Sequence, residues 1–355
     1  MNKTFLSVIA LLLFAACPLF AQNTKDPYDT ALQLLEQAEG AGSEKAAEKM
    51  LSDAAALLKK AVEKGNADAM FQLANLYRNG WGVKQNDAET LKLLQLAAGR
   101  EHGGALYNLG AYYSAHDPAK SAEFFRRALA QGVPGAGIRF GYCCLRGFGV
   151  PKDIPRAKSA FKADAMRGIA AAQNQLGVLL FKENKFFGAE EWFRKAADQN
   201  YAAAWNNLGV LERIRGDHAK SLEHFLKAAE KGYLPAMRNL ALAYVFTGKD
   251  QKAYEQARVW AEKAAAKNDP ASLHILGMIH LVGYGCKKDP ERAFGYYLKG
   301  AEAGYWMSAF QVADMYRKGQ GIPADAKKAD DWLKKAEVLR TRQNDSAKSS
   351  LDVTK

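Results

Sequence analysis

Between Ala69 and Glu337 the chain alternates small, apolar and polar residues in one pattern that returns again and again. It is clearest over 204–233. Ala204, Leu208, Gly209 and Leu211 fall on one stripe of a helix, and Ser221, His224, Phe225, Ala228 and Ala229 fall on one face of a second. Arg215-Gly216-Asp217 between them reads as a tight helix-to-helix turn. The unit is a helical hairpin, and a hairpin alone cannot bury its own apolar face, so it must stack on copies of itself. The first residue of the stripe recurs as Ala69, Ala105, Ala136, Ala172, Ala204, Ala236, Ser272 and Ser308, which makes eight repeats 31 to 36 residues apart. Each anchor is followed four residues on by Leu, Phe or Val and five on by Gly or Ala.

These choices have a packing logic. A small anchor with Gly or Ala five later lets helix axes approach closely, while Tyr77, Tyr113 and Tyr244 fill space farther along. If Gly209 is small because another helix packs on it, leucine there should overpack, whereas alanine should be tolerated or even stabilising inside a helix. The longer spacings mostly coincide with Gly-x-Gly turns at Gly80-Trp81-Gly82, Gly147-Phe148-Gly149, Gly283-Tyr284-Gly285 and Gly319-Gln320-Gly321. Prolines stand before anchors (Pro134, Pro235, Pro270) or near turns, where a missing N–H is harmless.

The ends differ from the array. Residues 1–21 carry Lys3, an apolar run from Val8 to Ala16 and a small residue at Ala21, which reads as an export signal cleaved before Gln22. Cys17 after Phe14-Ala15-Ala16 offers lipid anchoring as the alternative. The expected location is therefore periplasmic or secreted, and no stretch approaches the ~20 apolar residues of a transmembrane helix. Within 22–64, helices over 28–39 and 44–63, joined by Gly40-Ala41-Gly42 with Ser43 as N-cap, read as a capping hairpin. The array is assigned to 65–340, and 341–355 is a polar tail without periodicity, expected to be disordered.

Composition narrows the chemistry. Lys and Arg number 50 against 38 Asp and Glu, a net charge of +12, which favours an anionic partner. An exported chain without a continuous aromatic and basic strip is no nucleic-acid binder. Cys143, Cys144 and Cys286 make no disulfide framework; Cys143 sits where other repeats carry Leu and Cys286 where they carry Val or Ile, which reads as packing. None of the Gly-x-Gly turns follows a strand or carries the Lys-Ser/Thr of a phosphate loop. No histidine pair has the i, i+4 spacing with Glu of a zinc-protease helix, and His224 and His280 occupy packing positions. No cofactor, metal or catalytic residue is expected, and an enzyme would need a dispersed catalytic set.

Two segments carry a closer signature, Ala69-x-x-x-Leu73-Ala74-x-x-Tyr77-x-Asn79-Gly80-Trp81-Gly82-Val83 and Ser308-x-x-x-Val312-Ala313-x-x-Tyr316-x-Lys318-Gly319-Gln320-Gly321-Ile322. The chain over about 65–337 resembles the Sel1-like repeat family, a branch of the tetratricopeptide-like helical repeats. Three repeats are short, lack the Gly-x-Gly turn and look more like shortened tetratricopeptide units. The resemblance implies an all-α fold, a right-handed superhelical α-solenoid of stacked hairpins, acting as an adaptor that binds a protein or peptide; an envelope-polymer or surface-binding protein is the alternative.

Helical geometry also names a binding face. Counting from the anchor, burial of positions 0, 4, 7 and 8 leaves 2, 3, 6, 9 and 10 on the opposite stripe of each first helix, aligned by stacking into a groove. Position 3 makes a polar ladder, Gln72, Asn108, Arg139, Gln175, Asn207, Asn239 and Gln311, broken by Ile275, and position 2 adds Asn174, Asn206, Arg238 and His274. The same stripe holds Arg78, Arg139, Arg146, Lys182, Arg213, Arg238, Arg317 and Lys318 against one acid, Asp314. The tetratricopeptide resemblance implies that Asn207 and Asn239 hold a peptide backbone while nearby cations take a carboxylate. The candidate groove residues are thus Gln175, Asn206, Asn207, Arg213, Arg238, Asn239 and His274; the competing reading is that these polar groups only solvate a helix face.

Overall fold

A computed structural model describes residues 26–248 and 250–349 of the chain. The expected signal at 1–21, its cleavage site and Cys17 lie outside the described residues. Helices and no strand occur among the described residues, as the sequence pattern requires. The chain divides into two compact units, 1–164 and 165–355.

The first unit opens with α1 (Pro27–Glu39) and α2 (Glu44–Glu63), the expected cap hairpin, with Ser43 Oγ accepting from the Ala46 N–H at 3.2 Å. Three repeats follow: α3 (Ala67–Asn79) with α4 (Asp87–Ala98), α5 (Gly103–Tyr113) with α6 (Pro118–Ala130), and α7 (Ala136–Arg146) with α8 (Ile154–Met166), in whose last turn the unit ends. Asn66, Asn86 and Asp117 cap α3, α4 and α6. Gly135 before α7 has no side chain to cap with, and the buried Asp164 of α8 supplies the acceptor instead, taking the Ile138 N–H at 2.9 Å.

The second unit holds five hairpins: α9 (Ala170–Lys182) with α10 (Phe186–Asp198), α11 (Ala202–Arg215) with α12 (His218–Glu230), α13 (Leu234–Thr247) with α14 (Gln251–Ala265), α15 (Pro270–Val282) with α16 (Pro290–Glu302), and α17 (Trp306–Lys318) with α18 (Ala326–Ser349). In each unit consecutive hairpins stack, each second helix against the next first helix, over a core dominated by alanine and leucine. Asp217 caps α12 through the Lys220 N–H, and Gly216 takes φ 84°, as expected of the turn between α11 and α12. The last helix runs through Ser349, so residues 341–349 of the tail expected to be disordered extend α18 instead, and the rest of that tail lies outside the described residues.

Glycine carries two distinct duties. In each Gly-x-Gly turn both glycines have positive φ, and the turn closes with a bond such as Trp81 N–H to Leu76 C=O (3.1 Å) or Gln320 N–H to Met315 C=O (3.1 Å). The second glycine also lies against backbone: a Cβ on Gly321 would sit 2.5 Å from the Pro290 carbonyl carbon, and one on Gly82 would collide with the Leu51–Ser52 peptide. Within hairpins the glycine five residues past the anchor faces an aromatic ring of the second helix. A Cβ on Gly209 would lie 2.6 Å from Phe225 Cδ1, and Gly110, Gly141, Gly177 and Gly277 meet Phe125, Phe161, Phe193 and Tyr297 in the same way. Just above these contacts Ser121 and Ser221 donate their hydroxyls to the Gly110 and Gly209 carbonyls at 2.7 and 2.8 Å.

Candidate functional site

The candidate residues all fall in the second unit, on its first helices, and successive first helices there touch one another. The contact is made of carboxamides. Asn207 Nδ2 of α11 donates to Asn174 Oδ1 of α9 at 2.9 Å, and Asn239 Nδ2 of α13 donates to Asn206 Oδ1 of α11 at 2.9 Å. Within α11, Asn206 Nδ2 approaches Asn207 Oδ1 at 3.5 Å. All four side chains are buried. The expectation that positions 2 and 3 face solvent is therefore corrected for Asn206, Asn207 and Asn239: each second-position amide is used up by the third-position amide of the next helix. Position 6 follows suit, with Val178 and Val210 buried. The series ends at α15, where Ile275 replaces the amide and is buried as well.

Around this ladder the other residues take different surroundings. Gln175 is half-buried, and its Oε1 is out of solvent without a hydrogen-bond partner. Arg238 lies 3.6 Å from Asp269, the N-cap of α15, which in turn holds the Ser272 hydroxyl and N–H at 2.6 and 2.8 Å. His274 is packed between Tyr297 and Tyr305, with Nδ1 3.2 Å from Ser308 Oγ, and burial pushes its pKa down to about 4. It is neutral at pH 7 and adds no charge to the face. Arg213 is exposed and forms no ion pair among the described residues, while its neighbour Arg215 is neutralised by Glu190 (2.6 Å) and Glu212 (3.2 Å).

Sequence reasoning missed an apolar feature on the same stripe. At position 10, in the last turn of three consecutive first helices, stand Ile214, Phe246 and Val282, which are 56%, 74% and 50% exposed. Elsewhere that position holds Asn79, Ala115, Arg146, Lys182 and Lys318. A run of three large apolar residues at a position assigned to solvent was the available signal.

The packing readings of cysteine and histidine hold. Cys143 and Cys144 are buried, and burial pushes the Cys143 thiol up to about 11. His224 and His280 are buried against Trp205 and Tyr296, each with one ring nitrogen unpartnered, and burial lowers both pKa values. Cys286 is only half-buried, 3.6 Å from His280 Nδ1. Among the described residues no group of three or more His, Cys, Asp or Glu could hold a metal ion, and no helix is long and apolar enough to cross a membrane.

Stacked hairpins with small anchors, Gly-x-Gly turns and a polar seam between first helices define a helical-repeat protein of the kind typical of protein-binding adaptors. The chain belongs to the Sel1 repeat family, whose repeat matches residues 67–102, 103–133, 137–159, 170–201, 203–233, 234–269, 270–305 and 306–337. It is similar to a chitin synthase regulator of Malassezia restricta, 28% identical over 131 residues, which span 35% of this chain and 9% of that protein. A negative regulator of exopolysaccharide production from Rhizobium meliloti is 28% identical over 144 residues, 35% of this chain and 54% of that protein. The chain thus spans about half, or much less, of the curated relatives it matches. Among solved structures, a protective antigen of uropathogenic Escherichia coli with an SLR fold aligns with TM-score 0.75 at 23% identity, over 88% of this chain and 76% of that one. A Sel1 repeat protein from Oxalobacter formigenes aligns with TM-score 0.58 at 23% identity, over 95% and 98%.

Proposed function

We propose that this protein is an exported, non-catalytic adaptor that docks a protein or peptide with acidic character on the first-helix face of its second unit. The observation that carries the reading is the exposed row Ile214, Phe246 and Val282 beside the unpaired Arg213. Large apolar side chains repeated at one register position are the footprint of an interaction surface, and the adjacent cation selects against basic partners. Arg213 takes the partner's carboxylate, whereas Arg238 is held beside Asp269 and the Gln175 amide oxygen is out of solvent. The asparagine ladder and His274 act one layer deeper, holding the first helices at fixed spacing. That two relatives bear the names of regulators supports control of a partner over chemistry.

The test is photo-crosslinking in the native envelope from position 246, with position 230 on the exposed end of α12 as control. A discrete acidic partner captured only from 246, and lost with Arg213→Glu, is expected; equal capture from both positions refutes the surface. For the export half of the reading, N-terminal sequencing of the mature chain should begin at Gln22, with an acylated Cys17 as the tethered alternative and a retained Met1 refuting both.

A further inference from the structure

The first unit contains a cavity of about 370 Å³ bordered by α5, α6, α7 and the Gly147-Phe148-Gly149 turn. Arg139 and Arg146 line it, seven residues apart on α7 and hence on one face of that helix. Neither forms an ion pair among the described residues. Their neighbours are aromatic instead: Arg139 Nε lies 3.4 Å from Tyr107 Oη, and the Arg146 guanidinium lies 5.4 Å over the Tyr142 ring. Arg126 and Arg127 of this unit differ in being compensated, by Glu123 and Glu101, each at 2.7 Å. Two uncompensated guanidiniums opening on one recess are a preformed oxyanion site, because each planar fork can take an oxyanion with two parallel bonds.

The remaining walls specify what carries the anion. Phe125 forms an apolar side, and Phe148, 41% exposed, presents a ring at the rim beside Tyr142. Ser114, whose hydroxyl donates to the Ala111 carbonyl at 2.7 Å, keeps its oxygen as an acceptor for a ligand hydroxyl. Charge clamp, ring faces and a hydroxyl acceptor in one recess match a pyranose bearing an oxyanion: the sugar's C–H face lies on the aromatic ring, a hydroxyl meets the acceptor, and its acid meets the arginines. A plain aryl acid would leave the hydroxyl acceptor unused.

We infer that this cavity is a binding site for an acidic sugar, either a uronate or a phosphorylated sugar, separate from the docking face of the second unit. Isothermal titration of the full chain with trigalacturonate and with glucose 6-phosphate distinguishes the two sources of the anion, against maltotriose, benzoate and a hexaglutamate peptide. One of the two acidic sugars should bind, with maltotriose weaker by about tenfold or more and both Arg139→Gln and Arg146→Gln weakening binding by about tenfold at unchanged thermal stability. Phe148→Ala should weaken it severalfold, while Arg126→Gln, an exposed arginine of the same unit outside the cavity, leaves it unchanged. Phe246→Asp should also leave it unchanged, so failure of the adaptor reading and of this one can be told apart. Any of three results overturns the inference: no heat with either acidic sugar, affinity indifferent to both Arg139→Gln and Arg146→Gln, or benzoate or hexaglutamate binding as tightly as the sugars.

Discussion

Replacing Gly209 with alanine sets two effects of similar size against each other. In mid-helix, alanine is favoured over glycine by about 1 kcal/mol, so periodicity alone predicts a neutral or stabilising change. The structure reverses that sign. The new Cβ would lie 2.6 Å from both Cδ1 and Cε1 of Phe225 and 3.1 Å from its Cγ, and Phe225 is fully buried with no room to yield. Overpacking of this kind costs ~1–3 kcal/mol, so Gly209→Ala should be destabilising by about 1 kcal/mol net. The chain itself contains the comparison. Where the fifth position is Gly (110, 141, 177, 209, 277) the facing second-helix residue is Phe125, Phe161, Phe193, Phe225 or Tyr297; where it is Ala74, Ala241 or Ala313 the equivalent residue is Leu94, Ala261 or Leu333. Gly209→Ala combined with Phe225→Leu restores that second pairing and should cost less than the two single changes summed, by about 1 kcal/mol. Gly295→Ala is the control, because its Cβ would meet nothing within 4 Å in the middle of α16, and it should stabilise by ~0.5–1 kcal/mol. Urea unfolding followed by circular dichroism measures all four variants. If Gly209→Ala is as stable as the parent, or the double change is additive, the ring-against-glycine account is wrong.

Asn206→Ala should cost about 1–3 kcal/mol in the same assay, because it strands the buried Asn239 amide that donates to it, whereas the exposed Arg213→Ala should cost almost nothing. His274 has its folded pKa lowered to about 4 from an ordinary 6.5, so the unfolded chain binds its proton first as pH falls. Its contribution is complete above pH 6.5 and lost as pH drops towards 4, on the order of 2–3 kcal/mol. His274→Gln should therefore flatten the acid limb of the stability profile over that window, and an unchanged slope would count against a buried neutral His274. Gly82→Ala combines φ 63° with a collision against the Leu51–Ser52 peptide and should destabilise far more than Gly216→Ala, which has φ 84° and open space. The latter should cost only the ~1–2 kcal/mol of a left-handed alanine, as differential scanning calorimetry of the pair would show.

Much of this molecule was legible in one dimension. The repeat length, the anchors, the cap at Ser43, the turn at Arg215-Gly216-Asp217 and the packing roles of His224 and His280 follow from periodicity, turn chemistry and side-chain size, which act within one hairpin. Even the pairing of glycine with an aromatic ring is written twice in five of the repeats, once on each helix. The end of α18 was misjudged because a polar stretch without periodicity carries no stop signal, and it continues the helix before it.

The candidate face shows where such reading stops. Positions 3 and 10 are seven residues apart and share one azimuth, so helical period cannot tell them apart. In the second unit they have opposite fates: Asn207 and Asn239, in the second turn, are buried against the preceding first helix, while Ile214 and Phe246, in the last turn, stand in solvent. What separates them is how close neighbouring helices come at each height, and that distance is set by the summed bulk of side chains in several stacked hairpins. The sequence by itself determined which residues share a stripe; only the tertiary structure decided that its amides bind one another and its apolar end stands in solvent.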